Sequence, residues 1–292
     1  MTGTTPTAAL AWAAAALGAR PAAEDVSHPR ETSRVWSLTL PTGTRFYLKI
    51  SARPVAYERE TLALRHAAPA LGTGRAPRLR ASNAQHLALL LTAVPGHPVK
   101  RQTLTPAEEA RAHRQAGTLL SRFHHAGDLS AARRKEAAQA LRSTADGAGN
   151  HLHDACLTVP ERRLVRGLTA RLRALPPLPL AFVHGDAGDR NLLWSPAHRR
   201  AGWIDFARSR FATAVQDFVL LACTTWTDRP DLRAAFLEGY GRDLTPEEKQ
   251  ALACLAALDA VNCLARGPAL GDAAVTARGR RTLDRLMAGV FA

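Results

Sequence analysis

Residues 180–206 read LAFVHGDAGDRNLLWSPAHRRAGWIDF, and this stretch decides the fold. An apolar strand leads into the triplet HGD at 184–186, and two more short apolar strands flank residues 195–200. Helical patterns precede and follow the stretch. It therefore predicts a β-rich island whose loops carry polar residues, set within a helical region.

The two later strands are close enough in sequence to pair as a hairpin. With the turn centred near His198, Leu193 lies opposite Trp203. The same register places Asn191 opposite Asp205 at the open end of the hairpin. An amide and a carboxylate are thus expected to meet there.

These side chains suit a magnesium site. Mg²⁺ takes oxygen ligands, commonly from one or two protein side chains, with phosphate and water completing the set. Asn191 and Asp205 offer such oxygens, and Asp186 comes five residues before Asn191 in a glycine-containing loop. Asp186 can accept the proton of an attacking hydroxyl group.

The combination carries more weight than any single motif. Asp and Asn in loops often bond their own backbone, and an isolated HGD triplet is usually a turn. Here a strand, HGD, an Asn, a hairpin and IDF follow one another, and Asp217 comes twelve residues after Asp205. This order favours a phosphotransferase site.

The first part of the chain is predicted to be rich in strands. Residues 34–40 and 45–50 form a hairpin around a Pro/Gly turn, residues 55–66 form a helix, and residues 87–92 form an apolar strand. A helix is also expected at 8–18. These elements make a small β-rich lobe, 1–94, which is expected to be the nucleotide-binding lobe and to have a hinge at its end.

The remaining part, 95–292, is predicted to be a larger, mostly helical catalytic and substrate-binding lobe. Thr105 and Glu108 have the spacing of a capping box, and Thr245 and Glu248 repeat it. The fold class is therefore α+β, with two lobes.

These residues resemble the aminoglycoside phosphotransferase and choline kinase-like family, which has a protein-kinase-like fold. The resemblance implies Asp186 as catalytic base and Asn191 and Asp205 as Mg²⁺ ligands on ATP. It places His184 and Asp217 as structural supports of the catalytic loop.

In the first lobe, the resemblance implies that Lys49 holds the nucleotide phosphates and pairs with a glutamate of the following helix. Glu58 and Glu60 both lie on that helix, two positions apart and so on different faces. Glu60 stands in the family's position relative to a leucine-rich turn and is chosen. Adenine contacts are expected at Thr92, Ala93 and Val94, in the segment that resembles the family's hinge.

Some features depart from the family pattern. Residues 29–33, where protein kinases have a Gly-rich phosphate loop, contain no glycine. This departure supports an alternative, a nucleotide-binding pseudokinase or regulatory protein without transfer activity. The roles of Asp189 and Arg190 stay open between substrate contact, charge stabilisation and loop solvation, and His124 is interpreted as a packing residue.

The net charge of +14 invites a nucleic-acid interpretation. Of the 39 basic residues only four are lysines, and the arginines are scattered, which indicates solvated helix faces rather than a nucleic-acid patch. The four cysteines lack CxxC spacing, and the apolar run at 8–18 is too short to span a bilayer. We therefore expect a cytoplasmic protein that binds neither nucleic acid nor membrane.

The partner is expected to be a small hydroxylated molecule, such as an antibiotic of the aminoglycoside or nucleoside type, a sugar or an amino alcohol. It should contact the helical lobe after Phe206, where polar and aromatic candidates occur at Trp226, Asp228, Asp231, Asp259 and Asn262. The basic composition makes a neutral or weakly charged acceptor at least as plausible as a polycation.

Overall fold

The computed structural model describes residues 6–28, 33–127, 130–139, 143 and 157–291. Its strands are β1 (Ala22–Asp25), β2 (Arg34–Thr39), β3 (Arg45–Ile50), β4 (Leu79–Asn83), β5 (Ala88–Thr92), β6 (His97–Pro98), β7 (Leu180–Val183), β8 (Leu192–Ser195), β9 (Arg200–Trp203) and β10 (Arg210–Thr213). Its helices are α1 (Pro6–Leu17), α2 (Pro54–His66), α3 (Pro106–His125), α4 (131–139), α5 (Val159–Ala174), α6 (Val219–Cys223), α7 (Thr225–Asp228), α8 (Pro230–Tyr240), α9 (Pro246–Ala269) and α10 (Ala273–Met287). Single 3₁₀ turns occur at Ala68–Leu71, Val99–Arg101 and Ala214–Phe218.

The strand-rich first part and the helical later part confirm the predicted fold class. The chain divides into two compact units. Unit 1 comprises residues 1–103 and 190–209, and unit 2 comprises residues 104–189 and 210–292. The functional division at residue 94 stays a prediction, since it concerns which ligand each part binds.

Unit 1 is built on a five-stranded antiparallel sheet in the order β1-β2-β3-β5-β4. The predicted β2–β3 hairpin is confirmed, and Gly43 at φ 81° supplies the left-handed residue in its turn. Helix α1 covers one face of the sheet, with its two buried alanines in contact with a cluster of inward-facing side chains: Trp36, Leu38, Leu48, Ala88 and Leu90. Burial of this face fixes the strand register.

The β8–β9 hairpin corrects one prediction. Leu193 pairs with Gly202, and Trp203 pairs with Leu192, so the register differs by one residue from the predicted one. The turn spans only residues 196–199, with Ser195 Oγ 2.9 Å from His198 Nδ1. This shorter turn shifts every cross-strand pair.

A consequence of the true register is that Asn191 does not lie opposite Asp205. The Ile204 N–H donates to the Asn191 carbonyl at 3.0 Å, and the chain then leaves the ladder at Asp205, whose φ is 66°. Asn191 and Asp205 still flank the same end of the hairpin, within unit 1.

Unit 2 is dominated by helices whose starts are capped as predicted. Complete capping boxes begin α3 at Thr105 with Glu108 and α9 at Thr245 with Glu248. Helix α9 is long and apolar enough, by length and composition, to cross a membrane. However, 61% of that apolar window is buried inside the protein, which is how a core helix of a soluble domain behaves.

Helices α3 and α8 approach each other at two glycines. A Cβ on Gly117 would overlap the carbonyl oxygen of Phe236, and a Cβ on Gly239 would overlap that of Arg114. Nearby, the Thr118 hydroxyl donates to the Gly239 carbonyl at 3.0 Å. The absence of side chains at these two positions allows the close helix contact that supports the core of unit 2.

Candidate active site

In unit 1, a buried lysine lies between two carboxylates. Lys49 Nζ on β3 is 2.8 Å from Glu60 Oε2 on α2 and 2.6 Å from Asp205 Oδ1 after β9. Glu60 is thus the glutamate of this helix that pairs with Lys49, whereas Glu58 is exposed. The role of this lysine toward phosphates stays a prediction.

The electrostatics of this cluster keep the lysine charged. Burial by itself lowers the pKa of Lys49, but the charges of Glu60 and Asp205 outweigh it and raise the pKa above its usual value. For Glu60, burial and the charge of Asp205 outweigh the opposing effect of Lys49 and raise the pKa above its usual value. Lys49 is therefore a fixed positive charge held between two carboxyl groups.

Asp205 sits in the left-handed region of backbone space at φ 66°, which Asp and Asn tolerate better than most residues. Its side chain keeps 26% of its surface exposed, whereas Lys49 and Glu60 are buried. Asn191, also in unit 1, is buried next to this turn. The two residues predicted as metal ligands thus share one end of the hairpin. The atoms that they can offer to a metal ion are the carboxylate oxygens of Asp205 and the amide oxygen of Asn191.

In unit 2, the side chain of Asp217 binds the backbone of the HGD loop, residues 184–186. The N–H groups of His184 and Gly185 donate to Asp217 Oδ2 and Oδ1, each at 2.7 Å. His124 Nε2 lies 2.9 Å from Oδ2. Burial opposes the charge of Asp217, but these hydrogen bonds and the neighbouring histidines lower its pKa.

His124 has a larger part than the packing role predicted for it. Because a carboxylate can only accept, Nε2 carries a proton, and Nδ1 lies 2.8 Å from the Tyr240 hydroxyl oxygen. The ring also contacts Phe218 and Tyr240. Asp217 lies 93 positions from His124 in sequence, so no local pattern could reveal this link.

Asp186, the predicted base, is buried at the end of the same loop. Its N–H donates to His184 Nδ1 at 3.3 Å, which leaves the proton of that ring on Nε2. His184 thus contacts Asp217 through its backbone and Asp186 through its ring. The predicted supports, His184 and Asp217, are brought together, while the catalytic role of Asp186 stays a prediction.

The predicted adenine-binding residues follow β5. The N–H of Thr92 already donates to the Arg78 carbonyl at 3.0 Å, and its hydroxyl accepts from the Arg78 N–H at 2.9 Å. Among the described residues, the backbone N–H and C=O groups of Ala93 and Val94 make no hydrogen bond. Ala93 and Val94 are therefore better placed than Thr92 to offer backbone groups to a ligand.

Other predicted positions are distributed as follows. The glycine-free segment lies mostly outside the described residues, since only its last residue, Ser33, is described. Trp226 is buried against Phe218, Asp228 is exposed, and Asp231 pairs with Arg229 at 2.8 Å. Asp259 lies 3.3 Å from Arg278 on α10.

Comparisons with known proteins agree with this geometry. The model of the phosphotransferase enzyme family, APH, matches residues 24–284. A viomycin phosphotransferase from Streptomyces vinaceus is 33% identical over 143 residues, which are 47% of this chain and 50% of that protein. The match thus spans about half the length of that relative.

Two solved structures share the fold at low sequence identity. A macrolide 2'-phosphotransferase type I has a TM-score of 0.65 and 20% identity, covering 97% of this chain and 99% of the other. The aminoglycoside phosphotransferase APH(4)-Ia, in a ternary complex with ADP and hygromycin B, has a TM-score of 0.66 and 15% identity, covering 96% and 97%. At this identity the likeness shows the fold.

Proposed function

The chain belongs to the phosphotransferase enzyme family, and we propose that it transfers the γ-phosphoryl group of Mg-ATP to a hydroxyl group of a small-molecule antibiotic. The observation that carries the proposal is the buried Lys49, held by Glu60 and Asp205 in a chain that also carries the HGD loop. A buried lysine that stays charged suits phosphate binding, and a loop held by hydrogen bonds suits the positioning on which phosphoryl transfer depends.

The residues of unit 1 fit a nucleotide and its metal. Asn191 and Asp205 supply the hard oxygen donors that Mg²⁺ requires, and they flank one end of a hairpin. When bound, Mg²⁺ neutralises charge on the phosphates during transfer. Lys49 binds phosphate as a point charge, and Ala93 and Val94 offer free backbone groups to the purine edge.

The residues of unit 2 fit the handling of the acceptor hydroxyl. Asp186 orients this hydroxyl and accepts its proton as the oxygen attacks the γ-phosphorus and the bond to the ADP oxygen breaks. Asp217 holds the backbone of the preceding two residues, and His184 holds the Asp186 N–H. Positioning of this kind contributes most of the catalysis when the transition state is loose.

The antibiotic class of the acceptor is supported by the relatives. The matched curated protein is a viomycin phosphotransferase, and the two fold neighbours act on or bind a macrolide and hygromycin B. All three carry hydroxyl groups, so they form a suitable set of test compounds, here called the antibiotic panel. We also propose a cytoplasmic location, because the proposed reaction consumes ATP and ATP is available there.

The test is ADP release by the purified chain with Mg-ATP and each member of the antibiotic panel, with mass spectrometry of the products. We expect at least one member to stimulate ADP release and to gain one phosphate. EDTA should abolish the reaction and added Mg²⁺ should restore it. ATP binding without phosphorylation of any panel member would contradict the proposal and favour a pseudokinase.

A further inference from the structure

His113, on the inner face of α3 in unit 2, is a buried histidine outside the residues discussed so far. Its exposed fraction is 1%, and within the described part of the chain neither ring nitrogen has a hydrogen-bond partner. Buried polar atoms are normally hydrogen-bonded, and an unpaired one lowers stability. A buried, unpaired histidine is therefore more easily explained by a role in the site than by a contribution to stability.

The nearest acidic group to His113 is the second aspartate of the HGD loop. His113 Nε2 lies 3.8 Å from Asp189 Oδ1, which is itself buried and without a hydrogen-bond partner among the described residues. The other oxygen, Oδ2, accepts from the Thr225 hydroxyl at 2.6 Å. The Asp189 side chain as a whole keeps 20% of its surface exposed, so it lies at the border between interior and solvent.

The surroundings of this pair are acidic. The charges of Glu109 and Asp231 also act on His113, and both residues pair with Arg229, at 2.7 Å and 2.8 Å. Among these four groups, the three carboxylates Asp189, Glu109 and Asp231 outnumber the single guanidinium of Arg229. This cluster of carboxylates occurs in a chain whose net charge is +14.

The histidine does not cancel this negative charge. Burial lowers the pKa of His113, against the opposing effect of Asp189 and Glu109, and so favours the neutral ring. A neutral ring can present an N–H to Asp189 Oδ1, and an approach of about 1 Å would bring the two atoms to hydrogen-bond distance. His113 can thus orient the carboxylate without neutralising it.

We propose that His113 is a positioning residue that, with Thr225, holds the Asp189 carboxylate as an anchor for a cationic group of the acceptor, an ammonium or a guanidinium. The two partners approach opposite oxygens of the carboxylate, which fixes its plane. Asp189 comes three residues after Asp186, so a cation held there places the rest of the acceptor near the loop that carries the base. The proposal rests on the proposed function for the identity of the acceptor, but cation binding can be measured without turnover.

The first measurement is calorimetric binding of each cationic member of the antibiotic panel to the nucleotide-free protein, at low and high salt. We expect salt-sensitive binding to the wild type, weakened about 10- to 100-fold in Asp189→Asn and His113→Leu, and restored in part by His113→Gln, whose amide can replace Nε2–H. Thr225→Val should also weaken binding. Thr227→Val is the matched control, because that hydroxyl bonds Ala222 and Arg285 instead.

The second measurement separates positioning from a purely structural role. His113→Leu should raise the KM for the acceptor and leave the KM for ATP unchanged, while its thermal stability stays close to that of the wild type, because neither ring nitrogen makes a hydrogen bond within the described part of the chain. Equal acceptor affinity in wild type and His113→Leu, or no binding of any cationic panel member to the wild type, overturns the proposal. Binding without phosphate transfer would instead remove the proposed function and leave this anchor standing.

Discussion

Lys49 Nζ and Asp205 Oδ1 lie 2.6 Å apart although 156 positions separate the two residues in sequence. The contact joins the central β3 strand to the turn after β9, within unit 1. It also shows that residues 190–209, which follow the HGD loop, return to the sheet-containing unit. One ion pair thus connects the predicted phosphate-binding lysine to a predicted metal ligand.

Lys49→Met should destabilise the protein and remove activity. The variant keeps the volume of the side chain but leaves the buried Glu60 without its counter-charge, and breaking a buried pair in this way costs about 3–5 kcal/mol. Urea unfolding measures the change. The double variant with Glu60→Leu should regain much of the lost stability but no activity.

The control for this experiment lies on the same helix. Glu58 is exposed and two positions away, so Glu58→Gln should change stability by less than about 0.5 kcal/mol. A loss in Lys49→Met no larger than in Glu58→Gln would show that the buried pair has no energetic significance.

Asp186→Asn should retain ATP binding and lose acceptor-dependent ADP release by about 10²- to 10⁴-fold, the usual contribution of a general base. The amide keeps the size of the side chain but cannot accept the proton. Asp243→Asn, at an exposed position, is the control and should behave as the wild type. Activity of Asp186→Asn within a few-fold of the wild type would remove Asp186 from the mechanism.

Asp217→Asn should lower stability by about 3 kcal/mol near pH 7, because an amide NH₂ would face an N–H donor in place of an accepting oxygen. The pKa of Asp217 is lower in the folded protein than its ordinary value of 3.8, so its stabilising effect is present above that pH and is lost as the pH falls through the folded pKa. The difference in unfolding free energy between wild type and variant should therefore narrow below about pH 4. A difference that stays constant down to pH 2 would exclude the charge of Asp217 as its source.

Gly239→Ala should destabilise unit 2 by about 2 kcal/mol or more, since the new methyl group meets the backbone carbonyl of Arg114. Gly167→Ala is the matched substitution in α5. A Cβ there meets no atom within 4 Å, and alanine should stabilise the helix by about 0.5–1 kcal/mol. Thermal unfolding of both variants tests the pair, and equal shifts would refute the close approach of α3 and α8.

Local chemistry made much of this fold predictable. The capping boxes at Thr105 and Thr245 and the choice of Glu60 over Glu58 follow from spacing and from family position. The predicted hairpin register was wrong because the turn, 196–199, is one residue shorter than expected, and a difference of one residue in the turn shifts every cross-strand pair.

The links of His124 to Asp217 and of His113 to Asp189 were also missed, for a different reason. Both join residues far apart in sequence through side chains on buried helix faces. The apolar periodicity of α3 shows that these faces point inward but does not show which polar group each histidine meets. Only the packing of unit 2 reveals the partners.

The attachment of the HGD loop to Asp217 also governs how the loop can lose its order. The amide protons of His184 and Gly185 are tied to a carboxylate that is itself held by α3 through His124. These amide protons can exchange with solvent deuterium only after their hydrogen bonds to the Asp217 carboxylate break. Because His124 also holds that carboxylate, breaking them requires much of unit 2 to open at once. The loop is therefore part of one cooperative unit, and its two amides should be among the slowest to exchange in the molecule.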